Sequence, residues 1–423
     1  MKLENDDLHI EKIKEEFKKI EEKISLEVED VCGFIFRNPE LSEEEYVCSA
    51  FLIDFMENNG FTVEPNYCDY ETAFRAEFVL GSGDGPSIAF LAEYDALPVV
   101  FSENEKRGKR DKKIIRPGHT CGHNWIAAAT VGVSVGLSKL EGLNGRVILI
   151  GTPAEETVGS KVDMVSAGAF DDIDIVIQPH LESYTDISCT ALALDALEFR
   201  FHGKATHAAS YPYKGINALD GVQLMFSGVN AMRQQLREDA KICGIVTSGG
   251  EASNIIPDYA SCRYTVRAKN RTYLSEVTQR VINCARGAEL MTGALLEYDF
   301  FENQTDDILN VDILQEMIKK YMIEEGIENI NDSIVNPTGS SDIGNVSQVC
   351  PTMYFEMDIE ADGEFCTHEK MALDYVNSAY AHKKLHQAIK IMGNMSLELI
   401  LDKFLVETIK RRHMELRSVN YIK

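Results

Sequence analysis

The sequence predicts an α/β domain interrupted by a smaller, inserted α+β domain. Three observations lead to that class. The chain has 423 residues, more than one ordinary domain of roughly 100–200 residues requires. Three short runs in the first half are apolar throughout, as strands buried on both faces of a parallel sheet are. After Leu192 the rhythm changes to the order β-α-β-β-α-β, which is the split ferredoxin-like unit.

Taken in order, Ile10 to Phe36 carries apolar residues at helical spacing among Glu and Lys and predicts an amphipathic helix. Asn38-Pro39-Glu40-Leu41-Ser42 breaks it, and Ser42 is expected to cap a second helix that runs through Ala50 to Met56 and closes at Gly60. The three apolar runs are Ile88–Ala92, Val147–Ile150 and Ile173–Ile177. Each is followed at once by ionisable residues: Glu93-Tyr94-Asp95, then Pro153-Ala154-Glu155-Glu156, then Gln178-Pro179-His180. Ligands of open α/β sheets sit outside the carboxyl ends of the strands, so these groups should converge on one crevice.

In the insertion, Leu194–His202 alternates as a strand, Ala218–Leu236 is helical, Cys243–Thr247 and Ala260–Ala268 form a hairpin pair, Leu274–Leu290 is helical, and Leu295–Phe301 is a last strand. Ile313–Tyr321, Thr352–Phe355 and a helical tail beyond Met371 then resume the first pattern. The expected division is 1–190 and 304–423 for the larger domain and 191–303 for the insertion.

Asp plus Glu total 68 against 42 Lys plus Arg, a formal net charge of −26, and such a surface repels nucleic acid and anionic lipid. The sequence shows no secretory signal and no segment apolar enough to span a bilayer, so a cytoplasmic location is expected. Its 10 cysteines lack a regular interval and form no CxxC pair, which points to reduced, mostly buried thiols.

Chemistry concentrates at Gly118-His119-Thr120-Cys121-Gly122-His123-Asn124, which opens a helix at Trp125. With one residue between them, a thiolate and an imidazole can bind one metal ion or two adjacent ones, and a helix start favours the thiolate. Glu155-Glu156 places two carboxylates at one strand end, where their repulsion calls for a cation or a proton. Metal-assisted hydrolysis uses such a pair, one carboxylate to hold the ion and one to take a proton from water whose pKa falls from about 15.7 towards roughly 7. His180 and His368 add two imidazoles, and Cys121, His123, Glu156, His180 and His368 together suit two ions sharing one ligand.

With these residues in place, the sequence resembles the aminoacylase/carboxypeptidase family of metallopeptidases (metallopeptidase family M twenty). It is most similar to the Cys-containing amidohydrolase branch with aminobenzoyl-glutamate hydrolase and β-alanyl dipeptidase-like proteins. The matching stretches are Asn38-Pro39-Glu40-Leu41, Ala92-Glu93-Tyr94-Asp95-Ala96-Leu97-Pro98, Cys121-Gly122-His123-Asn124, Gly151-Thr152-Pro153-Ala154-Glu155-Glu156, Gly203-Lys204-Ala205-Thr206-His207-Ala208, Asn254-Ile255-Ile256-Pro257 and Gly339-Ser340-Ser341-Asp342-Ile343-Gly344-Asn345. They span nearly the whole chain in the family's order.

The resemblance implies a di-metal peptidase-type catalytic domain with a ferredoxin-like lid through which the chain dimerises. It implies hydrolysis of an amide between an acyl or aminoacyl group and an amino acid with a free carboxylate, by two divalent ions, zinc or manganese, with cobalt or nickel also compatible. Carried over by position, Cys121 bridges the ions, His123 and Glu156 complete one site, and His180 and His368 the other. Glu155 is the general base and Asp95 orients a ligand. His207 stabilises the oxyanion across the dimer, and Asn254 and Arg267 hold the substrate carboxylate.

The sequence also departs from the family pattern. Wider-family members often carry a His ligand where Glu93 stands, and since Cys121 and the downstream histidines take that place here, Glu93 is not expected to be a ligand. Asn124 replaces an Asp common in the branch. The connection from Pro98 to Gly118 is longer and basic between Lys106 and Arg116, either a lip that attracts an acidic substrate or, as expected, a solvated loop. Two rival classes stay open: a metal-free cysteine hydrolase with Cys121 as nucleophile and His123 as its base, and a non-catalytic binding protein of the same fold.

Overall fold

The computed structural model describes residues 2–102, 113–333, 339–359 and 366–420. The chain divides into two compact units, one of 1–190, 308–336 and 345–423, the other of 191–307 and 337–344. The second unit thus extends past the expected boundary at 303. Thr305 bridges Leu194, and Arg271 binds Asp306 and the backbone carbonyl of Thr305, which ties this stretch to the insertion.

The first unit opens with α1 (Lys2–Arg37), α2 (Tyr46–Asn58), β1 (Thr62–Pro65), β2 (Phe74–Leu80), β3 (Ser87–Ala92), β4 (Leu97–Ser102), β5 (Lys113–Gly118) and α3 (His123–Ser138). It continues with β6 (Gly145–Gly151), α4 (Ser160–Ser166), β7 (Ile175–Glu182) and β8 (Thr185–Asp186). The second unit contributes β9 (Ala193–His202), α5 (Ala218–Met232), β10 (Lys241–Ser248), β11 (Tyr259–Ala268), α6 (Arg271–Thr292) and β12 (Leu295–Phe300). After it come α7 (Asp312–Glu324), β13 (Ile330–Asn331), α8 (Ile343–Val349), β14 (Thr352–Asp358), α9 (Ala379–Leu401) and α10 (Lys403–Asn420).

In the first unit the strands form a sheet in the order β1-β2-β6-β3-β7-β14-β8-β13. Its centre, β6, β3, β7 and β14, is parallel, and every residue of β3 is buried, which is why these runs read as unbroken apolar segments. Helix α3 is buried along almost its whole length and packs between this sheet and the pair α1 and α9. Its small residues permit that approach: a Cβ on Gly136 would stand 2.7 Å from the ring of Phe17. Ile13, Phe17, Ile20, Ile24, Val28, Val31 and Ile35 form the buried stripe of α1 at three- and four-residue steps.

A charged cluster closes the seam between α1 and α9. His386 lies 2.7 Å from Glu21 by Nδ1 and 2.9 Å from Glu29 by Nε2, with His382 and Lys390 also facing these carboxylates. Both ring nitrogens can donate only in the imidazolium form, and the hydrogen bond to Glu21, then burial working against it, then Glu29, leave the pKa above the usual imidazole value. The contribution to stability is therefore complete below about pH 6.5 and lost as the pH rises through the folded-state pKa. A His386→Gln variant is expected to lose about 1 kcal/mol near pH 6 and progressively less towards alkaline pH. Calorimetry across that range checks it, and an equal loss at both ends rules out the charged contact.

The second unit is a four-stranded antiparallel sheet in the order β10-β11-β9-β12, with α5 and α6 packed on β9 and β11. Phe199, Phe201, Val222, Met225, Val277 and Val281 are among its buried residues.

Two expectations need correction. Ser42 does not cap α2: the helix starts at Tyr46, and the Glu40 carboxylate accepts the N–H groups of Val47 and Cys48 instead. Helix α3 begins at His123, not Trp125. Of the basic connection, residues 103–112 lie outside the described residues, while on either side of them β4 and β5 pair antiparallel. All ten cysteines are free, and most are buried. No described helix is long and apolar enough to cross a membrane.

Candidate metal centre

The carboxyl ends of β3 and β6, the end of β7 and the start of α3 supply one cluster of donors in the first unit. Cys121-Gly122-His123 turns into α3 through Gly122, whose φ of +73° favours glycine and whose Cβ would stand 2.2 Å from Leu181. The turn sets Cys121 and His123 on either side of it, both buried.

His123 Nδ1 donates to Asp95 Oδ1 at 2.8 Å, and that carboxylate also accepts from the Ser42 hydroxyl at 2.8 Å and the Glu156 N–H at 3.0 Å. Burial alone would raise the Asp95 pKa, but the imidazole against it holds it below the usual range. The bond fixes the ring so that Nε2 faces the cluster, where it is buried without a hydrogen-bond partner. His180 lies within β7, not after it, and its Nδ1 donates to the Leu181 carbonyl at 2.9 Å. Its Nε2 is thereby left with a lone pair, 3.6 Å from Cys121 Sγ. Burial pushes the His180 pKa down to about 4, which keeps the ring neutral.

Glu155 and Glu156 follow β6 on a pinned turn. Ala154 has φ +58°, and its N–H is accepted by Glu45, a buried carboxylate whose pKa burial and Asp95 raise to about 7. Glu156 Oε1 is also buried and unpartnered, 3.8 Å from His123 Nε2 and 3.5 Å from His368 Nε2. His368 has φ +68°, and its N–H is held by the Thr120 carbonyl at 3.0 Å.

Three donor groups result, each with its ligand atoms within 4.8 Å of one another: Cys121, His123 and His180; Cys121, Glu156 and His368; and His123, Glu155 and Glu156. Cys121 belongs to two of them. The resemblance pairs His123 with Glu156 and His180 with His368; the geometry brings His123 and Glu156 together in one group, but sets His180 with Cys121 and His123 and sets His368 with Cys121 and Glu156. A thiol, imidazoles and carboxylates, with His123 Nε2 and Glu156 Oε1 buried and unpartnered among them, fit a divalent ion. Burial and Glu156 push the Cys121 thiol well up, and Asp95 and Cys121 raise His123 although burial opposes its charge. The helix start alone therefore does not favour the thiolate, and cation uptake must release protons.

The remaining sequence candidates belong to the second unit. His207 bridges Ile255, and its Nδ1 accepts the N–H groups of Ala209 and Ser210. The Asn254 carbonyl accepts the Ala208 N–H at 3.0 Å, and Arg267 stands on β11 opposite Leu194 and Lys241. Asn124 Nδ2 donates to Cys32 Sγ and the Val376 carbonyl, a packing role away from the donors.

Sequence reasoning missed Ser42, Glu45, Lys161 and Gln178. Lys161 is fully buried and lies 2.7 Å from Glu93 Oε1, which also accepts from Gln178 at 2.7 Å. Only its place five residues after Glu156 offered a signal.

Known proteins similar to this chain share its family and fold. Residues 194–289 match the peptidase dimerisation domain family. The chain is 32% identical over 395 residues to Xaa-Arg dipeptidase of Mus musculus, covering 89% of this chain and 86% of that protein. It is 35% identical over 279 residues to one of the subunits of p-aminobenzoyl-glutamate hydrolase of Escherichia coli, covering 64% of this chain and 57% of that one. A dinuclear metal binding peptidase of the M20 family from Bacillus subtilis shares the fold with a TM-score of 0.64 at 20% identity, over 90% of this chain and 100% of that one. The chain belongs to the M20 family of peptidases and is a hydrolase of amide bonds.

Proposed function

We propose that the protein is a dinuclear amidohydrolase that cleaves the amide joining an acyl or aminoacyl group to an amino acid with a free carboxylate. The observation that carries this reading is the sharing of Cys121 between two donor groups, one completed by His123 and His180 and the other by Glu156 and His368. Among substrates of this class a dipeptide takes first place, because a relative 32% identical over 89% of the chain is a dipeptidase.

Two divalent cations, zinc or manganese, would supply Lewis acidity there, polarising the scissile carbonyl and acidifying water. Glu155 takes the proton of the attacking water and returns it to the leaving amine. Asp95 keeps His123 in the tautomer and orientation that present Nε2. The family resemblance supports His207 as the oxyanion donor, Asn254 and Arg267 as the carboxylate grip, and a homodimer formed through the second unit. Arginine suits that grip because its planar fork binds a carboxylate by two parallel hydrogen bonds.

The test is a panel of Xaa-Arg and other dipeptides, acylated amino acids and aminobenzoyl-glutamate, assayed before chelation, after it and after addition of zinc or manganese. Turnover is expected to vanish on chelation and to return with the ion. Turnover that survives in metal-stripped protein and disappears on thiol alkylation would make Cys121 a nucleophile and end the proposal.

A further inference from the structure

We infer that Glu93 is a further cation donor at this centre, aimed by the buried ammonium of Lys161 and the amide of Gln178. The inference rests on the dinuclear reading above and adds to it a residue that the sequence pattern set aside.

Glu93 follows directly on β3 and is 1% exposed. Its two oxygens are treated differently. Oε1 accepts from Lys161 Nζ and Gln178 Nε2, both at 2.7 Å. Oε2 is buried with no hydrogen-bond partner and lies 3.6 Å from His123 Nε2, which has none either. A buried ion pair that served only to hold the fold would account for Oε1. It leaves Oε2 unexplained, because an anionic oxygen withdrawn from water needs a partner.

Two unpartnered buried carboxylate oxygens, Glu93 Oε2 and Glu156 Oε1, each approach the unpartnered His123 Nε2, but the three atoms do not form one donor group within 4.8 Å. The carboxylate oxygens stand 3.6 Å and 3.8 Å from the imidazole nitrogen. Those separations are long for a hydrogen bond. The Glu93–His123 separation matches that of two ligand atoms on one tetrahedral ion, roughly 3.3–3.8 Å for bonds of about 2.0–2.3 Å. Lys161, fully buried on α4, offsets one negative charge and fixes the carboxylate plane, so that Oε2 can face the position that His123 faces. Gln178 reaches the same oxygen from β7, two residues before His180.

Removing Glu93 alone would leave Lys161 buried without this counter-ion, and the variant could fail to fold for that reason. The decisive protein is therefore the full-length double variant Glu93→Gln/Lys161→Met, which removes both charges and keeps both volumes. Wild type and double variant are stripped of metal and titrated with zinc by calorimetry and with cobalt by absorption, and thermal unfolding of the stripped forms is recorded. Wild type should take up two equivalents. The double variant should unfold at a temperature close to that of wild type, yet bind one of the two equivalents at least ~10-fold more weakly, the other being unchanged. Two equivalents bound as tightly as in wild type would overturn the assignment and leave a purely structural ion pair. A wild-type chain that takes up neither ion would overturn the dinuclear reading, and the role of Glu93 with it.

Discussion

A Glu155→Gln variant is expected to lose roughly 10²–10⁴-fold in kcat while still binding two cations, the range that a positioned general base contributes. The turn that carries it is fixed on both sides: Glu45 holds the Ala154 N–H at 2.9 Å and Asp95 holds the Glu156 N–H at 3.0 Å. Glu155 is therefore presented beside His123 and Glu156 by backbone contacts that the substitution does not touch. Gln keeps the size of the side chain and cannot take a proton from water. Turnover and zinc uptake measured on the same preparation check the prediction. Undiminished turnover removes Glu155 from the mechanism, and lost uptake makes it a ligand instead of a base.

Replacing Cys121 should have the broadest effect on metal content. Because its sulfur belongs to both the His123–His180 group and the Glu156–His368 group, a Cys121→Ala variant is expected to weaken both equivalents, each by more than the ~10–100-fold that loss of a supporting contact costs. Activity should fall to that of chelated wild type. A His368→Ala variant is the control, since His368 belongs to one group only and its loss should spare the other equivalent. If Cys121→Ala instead weakens a single equivalent, the sulfur is not shared.

The strands of the parallel centre were legible because burial on both faces leaves a plain mark, an unbroken apolar run such as Ile88–Ala92 within β3. The donors that follow those runs were legible for the same reason, since each run announces where its end falls. What could not be read were contacts made across long separations. Ser42 looks like a helix cap in its local context, and only the folded chain brings Asp95, 53 residues away, to its hydroxyl. Glu40 caps α2 from seven and eight residues upstream, which no local capping pattern describes. Lys161 reads as a surface lysine until Glu93, 68 residues earlier, is seen against it. The pairing of β4 with β5 was hidden by the long basic connection between them.

Helix α1 packs on α9, and His368 and β14 also follow the insertion, so the first unit joins stretches that are made far apart in time. All strand pairing of the second unit's sheet is contained between Ala193 and Phe300. On the ribosome that sheet can be completed while α1 and α3 still await their partner and expose apolar faces. This interval is when the nascent chain is most prone to aggregate or to engage a chaperone.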